Sequence, residues 1–162
     1  MATAPRPLPF LIEDAGYEAL DGVMLVMNRA FDPHNGEAWT RSQCAGILPM
    51  AGVSLVVART ADEAGDVIGF SLQRTTLDEA ELLLLAVDPE AQGQGVGRAL
   101  MERFELDCAG AGARRLHLEV RESNPATNFY ETKGFVLAGR RRGYYRGDEG
   151  DRIDALTYVK LL

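Results

Sequence analysis

A cluster of three glycines places the strongest constraint on what this chain can fold into. The stretch AVDPEAQGQGVGRAL (86–100) follows an apolar run, contains Gly93, Gly95 and Gly97, and continues with the periodicity of a helix. A glycine inside regular structure costs roughly 0.5–1 kcal/mol relative to alanine. The cluster therefore indicates a backbone conformation or a close approach that a side chain would block.

The glycines lie where a strand-to-helix loop is expected to end. The free N–H groups of a helix start point outward and, with the helix dipole, form an anion site that a phosphate can approach where Cβ atoms are missing. A tight turn with glycines needed only for packing is the alternative. No G-x-x-x-x-G-K-[ST] pattern is present, which argues against a P-loop. Arg98 and Leu100 stand where the third glycine of a dinucleotide-binding fingerprint would fall, which argues against that site.

Hydrophobic periodicity predicts seven strands and four helices. Strands are expected within 8–14, 54–60, 66–74, 80–87, 114–122, 135–145 and 154–162, and helices within 14–31, 39–52, 95–110 and 123–134. The strands from 54 to 87 should form an antiparallel meander, and strand 80–87 should reach strand 114–122 by a parallel, right-handed crossover. The fold class is therefore α/β: a mixed, mostly antiparallel sheet of about six to seven strands with helices on both faces, as a single domain over 1–162. The run of four leucines in 80–87 predicts a strand buried on both faces.

Composition limits the partners of the chain. A content of 46% hydrophobic and 25% charged residues is ordinary for a globular protein, and the net charge of −7 argues against nucleic acid. The longest apolar run, LLLLAV, is too short to span a membrane, and the N-terminal residues lack a leader pattern. Cys44 and Cys108 are far apart and fit neither a disulfide framework nor a metal site. We expect a cytoplasmic protein without a metal, either a monomer or a homodimer.

Several motifs occur in one order that is typical of a known family. They are DEAELLLLAVDPEAQGQGVGRAL with its Q-x-x-G-x-G core (92–97), LEVRESN, FYETKGF, and RRRGYY followed by DAL. In this order they resemble the GNAT superfamily of acyl-CoA-dependent N-acetyltransferases. The greatest similarity is to the RimI-like group, which acetylates the N-terminal alanine of ribosomal proteins. The resemblance covers roughly residues 66–162, and the first 65 residues match only in outline.

The resemblance implies acetyl-CoA as the acyl donor. Its pyrophosphate would bind the backbone N–H groups of the glycine loop, and its pantetheine arm would pair with the edge of strand 80–87, where this strand diverges from strand 114–122. A backbone N–H near Leu85 would stabilise the oxygen of the tetrahedral intermediate. The implied donor-binding residues are Leu85, Ala86, Val87, Gln92, Gly93, Gln94, Gly95, Val96, Gly97, Arg98 and Asn124.

Two residues are implied in catalysis. Glu119 matches the glutamate of the LEVR motif and would accept the proton of the amine; the alternative is an ion pair with Arg121 or a neighbouring arginine. Tyr130 matches the tyrosine of the Y-E-x-x-G-F motif and would protonate the departing thiolate; the alternative is core packing beside Phe129. Asn124 matches an asparagine that contacts the arm of the cofactor in this family; the alternative is a helix cap. The segment from Asn124 to Tyr130 is one residue shorter than in the RimI-like pattern.

Tyr144 and Tyr145 match a tyrosine pair that, in N-terminal acetyltransferases, helps to hold the first residues of the acceptor peptide, and Trp39 would form the opposite wall of the acceptor site. Ordinary cross-strand packing is the alternative for the two tyrosines. Three functions stay open at this point: acetylation of a protein N-terminus, acetylation of a small-molecule amine, and acyl-CoA binding without catalysis. Glu119 and Tyr130 argue against the third.

Overall fold

The computed structural model describes residues 9–162 and contains one mixed sheet of seven strands. The strands are β1 (Phe10–Ala15), β2 (Val53–Thr60), β3 (Val67–Thr76), β4 (Glu79–Val87), β5 (Arg115–Arg121), β6 (Val136–Arg146) and β7 (Arg152–Leu161). Their order in the sheet is β1-β2-β3-β4-β5-β7-β6, with β4 and β5 parallel and the other neighbours antiparallel. The predicted antiparallel meander and the parallel pairing of β4 with β5 are confirmed. Leu8, the first residue of the first predicted strand, lies outside the described residues.

Four helices cover the two faces of the sheet, as predicted. They are α1 (Leu20–Ala30), α2 (Arg41–Ile47), α3 (Val96–Gly110) and α4 (Ala126–Thr132). Side chains of α1 and α2 share one buried cluster with β2, β3 and β4, whereas α3 and α4 contribute to clusters on the opposite face. The first helix starts later than predicted, because a 3-10 turn, Tyr17–Ala19, precedes it. Tyr17 is 55% exposed and does not belong to the buried stripe of α1.

Helix α3 forms because its apolar residues recur every three or four positions. Val96, Leu100, Met101, Phe104 and Cys108 are buried against the sheet. The helix ends at Gly110, and the following chain turns through a left-handed glycine at position 112. This packing fixes the N-terminus of α3, with its glycine loop, at the carboxyl end of β4.

The two parallel strands diverge, which opens the sheet. Residues 79–82 of β4 pair with residues 115–118 of β5. Beyond Leu82 and Leu118 the described residues contain no further pairs between these strands, although β4 continues to Val87 and β5 to Arg121. The predicted opening between the strands is therefore present in the fold.

A β-bulge in β4 shifts the alternation of its side chains between the two faces of the sheet. Leu82 pairs with Gln73 and Leu84 with Leu72, so Leu83 is an extra residue in the ladder. Leu82 accordingly packs towards α3, and Leu84 packs towards α1. The expectation of a strand buried on both faces therefore holds for alternate residues of β4, and the residues between them are only partly buried or exposed.

Candidate active site

A cavity of about 990 Å³ crosses the sheet at the opening between β4 and β5. It extends from the glycine loop to the segment between α1 and α2 and to the end of β6. Residues predicted from the sequence that line it are Trp39, Leu85, Ala86, Val87, Gln92, Gly93, Gly95, Val96, Gly97, Arg98, Glu119, Asn124, Tyr130, Tyr144 and Tyr145. Gln94 is exposed and is not among the lining residues, so its side chain has no place in the cavity wall, although its backbone belongs to the same loop.

The glycine loop presents bare backbone at one end of the cavity. Gly93 and Gly95 have φ angles of 79° and 87°, a conformation that favours glycine. A Cβ added at either position would meet no atom within 4 Å, so the space beside the loop is open. Gly95 caps α3 without any side-chain hydrogen bond, which leaves the N–H groups of the first helical turn free for an anion. The geometry fits a phosphate cradle as well as a strand-to-helix turn.

Glu119 lies near the divergence of the strands, on the face of β5 opposite Leu118 and Val120. Its side chain is only 12% exposed, and its Oε1 lies 2.7 Å from Nε of Arg141. The Tyr145 hydroxyl donates a hydrogen bond to the backbone oxygen of Glu119 at 3.3 Å. The ion pair foreseen as the alternative for Glu119 exists, but with Arg141 and not with Arg121. A carboxylate in the cavity wall can hold an ion pair and still face a bound amine.

Tyr130 lies on α4 and is 7% exposed. Its ring contacts Phe129 and Phe135 edge to face, with ring centroids 5.5 and 6.1 Å apart. Burial, and secondly the negative charge of Glu37, raise the pKa of the Tyr130 phenol. Tyr130 therefore stays a neutral O–H donor throughout the physiological pH range, as a proton donor must. The packing alternative is also true of its ring, which contacts two phenylalanines although the residue borders the cavity.

Asn124 combines two contacts. Its Oδ1 accepts a hydrogen bond from the N–H of Ala126 at 2.8 Å, which satisfies the start of α4. Its Nδ2 donates to Oε2 of Glu37 at 2.8 Å. The side chain is thus a helix cap that also lines the cavity. Despite the shortened segment, Tyr130 still borders the same cavity.

Glu37 is the main site residue that sequence reasoning missed. Its side chain is 10% exposed, and its Oε1 accepts from Nε of Arg121 at 2.8 Å, while the other oxygen holds Asn124. The segment that carries it is fixed by Gly36, where a Cβ would come within 2.3 Å of the backbone oxygen of Arg146. Glu37 thereby ties the segment between α1 and α2 to β5 and α4. A lone glutamate in a polar loop gives no periodic signal, so only the fold reveals its partners.

Glu37→Gln is expected to lower the free energy of unfolding by about 2 kcal/mol, because it leaves the enclosed guanidinium of Arg121 without its counter-charge. Urea unfolding followed by circular dichroism measures this. Glu63→Gln, at an exposed turn position, is the control and should change stability by less than about 0.5 kcal/mol. Equal stability of Glu37→Gln and the control would show that the enclosed ion pair contributes nothing.

The end of the cavity that β6 borders is aromatic. Tyr144 and Tyr145 meet edge to face, with centroids 5.0 Å apart, and Trp39 lines the cavity from the segment before α2. Burial, and secondly the charge of Glu37, raise the pKa of Tyr145, and burial followed by the charge of Glu119 raises that of Tyr144. Both hydroxyls therefore remain neutral donors at neutral pH.

The two histidines of the chain each lie beside an acidic side chain. His34 Nδ1 lies 2.7 Å from Asp148, and this hydrogen bond raises the pKa of His34. His117 Nε2 lies 3.8 Å from Oε2 of Glu81, and the proximity of His117 is the main cause that lowers the pKa of Glu81. Within residues 9–162, no cluster of three His, Cys, Asp or Glu side chains could hold a metal ion. Over the same range, no helix has the length and apolarity needed to cross a bilayer.

A family model agrees with this fold and cavity. The model described as an acetyltransferase (GNAT) domain matches residues 52–137, just over half of the chain. The chain therefore belongs to the GNAT acetyltransferase family. The predicted family, the predicted fold class and the predicted enzyme class, an N-acetyltransferase, are confirmed.

Two curated relatives share a more specific name. The [ribosomal protein bS18]-alanine N-acetyltransferase of Haemophilus influenzae is 39% identical over 100 residues, which cover 62% of this chain and 68% of the relative. The protein of the same name from Escherichia coli K12 is 44% identical over 93 residues, which cover 57% of this chain and 62% of the relative. The matched stretch thus spans between 62% and 68% of the length of these two relatives.

Solved structures extend the likeness over nearly the whole chain. The crystal structure of the ribosomal-protein-S18-alanine N-acetyltransferase from Escherichia coli has a TM-score of 0.79 and 31% identity, and covers 94% of this chain and 93% of that chain. Arabidopsis thaliana NAA60 in complex with acetyl-CoA has a TM-score of 0.81 at 16% identity, over 94% of this chain and 98% of that chain. The second likeness shows the shared fold.

Proposed function

We propose that this chain transfers the acetyl group of acetyl-CoA to the α-amine of a protein N-terminus, first of all an N-terminal alanine of a ribosomal protein. One observation carries the proposal: a single cavity joins an uncapped glycine loop to a carboxylate and a phenol at the opening between β4 and β5. The names of the Haemophilus influenzae and Escherichia coli relatives support this acceptor. Cys44 and Cys108 are free and buried, and we place the reaction in the reducing cytoplasm.

The donor end binds by backbone groups. The N–H groups from Gly93 to Arg98 would hold the pyrophosphate, because the loop offers free donors, open space and the positive end of a helix dipole. The edge of β4 that β5 leaves unpaired, at Leu85, Ala86 and Val87, would hold the pantetheine arm. An N–H of this edge near Leu85 would stabilise the negative oxygen that forms in the transition state.

The reaction requires a neutral amine. An N-terminal α-amine has a pKa of about 7.7–8.0 and is mostly protonated at neutral pH. Glu119 accepts the first proton of the ammonium group, directly or through a water molecule, and passes it to the solvent, and the neutral nitrogen then attacks the thioester carbon supplied by acetyl-CoA. The new C–N bond forms, the C–S bond breaks, and Tyr130 donates its phenolic proton to the departing sulfur. The second proton of the nitrogen leaves as the amide forms, and it restores the Tyr130 phenol by way of water. The low exposure of Glu119 and Tyr130 strengthens both interactions, because little water competes for them.

Tyr130→Phe is expected to lower kcat with an alanyl peptide about tenfold to hundredfold, while the KM for acetyl-CoA changes little. The effect is moderate because a thiol has a pKa near 8.5 and leaves readily even without full protonation. Steady-state kinetics measure it, with Phe129→Leu as the control for packing beside the same cavity. A kcat for Tyr130→Phe equal to that of the control would remove the phenol from the proton transfer.

The acceptor end has walls suited to an extended peptide. Trp39, Tyr144 and Tyr145 provide apolar surface with neutral hydroxyl donors, and the edge of the cavity includes Arg146. Aromatic residues with a polar group bind a peptide backbone and small side chains at low entropic cost. This environment supports a peptide N-terminus as the acceptor.

An acceptor screen tests the proposal. Purified protein and acetyl-CoA are incubated with short peptides that begin with alanine and carry a free α-amine, with the same peptides blocked at the N-terminus, and with a panel of small amines. Mass spectrometry with fragmentation then locates the acetyl group. We expect acetylation of the α-amine and no reaction of blocked peptides. Acetylation of small amines alone would replace the peptide acceptor, and the absence of any transfer would contradict the proposed reaction.

A further inference from the structure

The carboxylate of Glu119 is covered by an exposed arginine from a strand that is not its neighbour. Arg141 lies on β6, and its side chain extends past β7 so that Nε comes within 2.7 Å of Oε1 of Glu119. The Arg141 side chain is 62% exposed and that of Glu119 only 12%. A solvent-exposed cation therefore occupies the open side of an enclosed anion.

The other charged groups near Glu119 have partners of their own. Arg121 pairs with Glu37, and His117 lies beside Glu81 on the same face of β5. Tyr144 and Tyr145 face Glu119 as neutral phenols. Within the part of the chain that the structure describes, Arg141 is the salt-bridge partner of Glu119.

Arg141 has a second contact besides the one with Glu119. Its guanidinium carbon lies 5.4 Å from the ring centroid of Tyr144, within the range of a cation–π contact. If it leaves Glu119, the cation can remain over this ring and in water. When the ion pair with Glu119 breaks, Arg141 therefore stays hydrated and keeps its contact with Tyr144.

An acceptor amine that approaches in its ammonium form needs the carboxylate that Arg141 occupies. We propose that Arg141 is a positioning residue that holds the acceptor's place at Glu119 in the empty cleft and is displaced towards Tyr144 when the amine binds. This inference rests on the proposed function, since it requires the acceptor to approach Glu119. Arg141 then lowers the affinity for the acceptor by competing with it, and keeps other cations from the base between turnovers.

Calorimetry with a short peptide that begins with a free alanine tests the competition, with the protein saturated by coenzyme A. Arg141→Gln should bind this peptide roughly two- to fivefold more tightly than the unaltered protein, the range of an exposed ion pair. Arg141→Lys, which keeps the charge, should restore most of the competition. Arg142→Gln, on the same strand, is the matched control and should leave the affinity unchanged. The same peptide with an acetylated N-terminus carries no ammonium and should bind all these variants equally.

A second pair of variants shows whether Arg141 acts through Glu119. In a Glu119→Gln background, Arg141→Gln should not change the affinity further, because no carboxylate is left to compete for. Unchanged or weaker binding of the free peptide by Arg141→Gln alone would overturn the inference. So would an equal gain with the acetylated peptide or in the Glu119→Gln background.

The proposed function can fail separately. If the protein acetylates small amines but no peptide, the peptide acceptor is wrong. The role of Arg141 is then decided by the same binding comparison, made with the free form of a small amine that the protein acetylates. If Glu119→Gln has full activity, its role as the base is wrong, while the binding series still shows whether Arg141 and the amine compete for its carboxylate.

Discussion

Glu119→Gln is expected to lower kcat with an alanyl peptide by about 10³ at neutral pH and below, within the range of a positioned acid–base group. Glutamine fills the same volume but cannot accept a proton from the amine. The loss should diminish as the pH rises above about 8, because an α-amine with a pKa of about 7.7–8.0 then loses its proton to the solvent. Steady-state kinetics over this pH range, at saturating acetyl-CoA, measure the effect.

The control for this substitution is Glu122→Gln. Glu122 follows β5, is 45% exposed and pairs with Arg140 outside the cleft. The substitution Glu122→Gln also removes one negative charge near β5 but changes no residue of the cavity wall, and we expect near-normal activity. A pH profile for Glu119→Gln that parallels that of the unaltered protein would exclude Glu119 as the base and leave its pairing with Arg141 as its function.

Gly95→Val should weaken acetyl-CoA binding by at least about a hundredfold. A valine at a φ of 87° is strained, and its side chain would extend into the open space beside the first turn of α3. The loss of one or two charge-assisted hydrogen bonds from backbone N–H to phosphate costs about 3 kcal/mol, which corresponds to this factor. Calorimetric titration with acetyl-CoA measures the dissociation constant.

Backbone strain alone must be separated from the loss of the phosphate site. Gly112→Val is a matched control, since Gly112 has a φ of 92°, also has open space around its Cβ position, and lies at the opposite end of α3. We expect it to lower stability to a similar extent without changing the affinity for acetyl-CoA. Equal affinities of the two variants would mean that the glycines serve only the turn.

The parts of the fold with strong local patterns could be predicted from the sequence. The apolar stripe from Val96 to Cys108 predicts α3, and the strand that carries Glu119 is predicted within 114–122, where β5 lies. The Q-x-x-G-x-G spacing predicts a helix N-terminus with exposed backbone N–H groups, because three glycines so close together remove the side chains that would cover them. These features depend on residues that are near one another in the chain.

Features that depend on the meeting of distant segments could not be predicted in this way. The bulge at Leu83 arises from the register against β3, and the alternation of apolar side chains does not reveal it. The contacts of Glu37 with Arg121 and of Arg141 with Glu119 join segments that lie far apart in the sequence. Charged side chains in loops and on edge strands carry no periodic signal, so only the assembled sheet shows which of them meet in the cleft.

A crystal structure of the protein with acetyl-CoA tests the central claim most directly, namely that the start of α3 and the divergence of two strands form one binding site for an acyl donor. We expect the pyrophosphate at the amides of Gly93 to Arg98, the pantetheine arm along β4 from Val87 to Leu85, and the sulfur beside the hydroxyl of Tyr130. Density for the donor elsewhere on the surface, with the glycine loop unoccupied, would contradict the account.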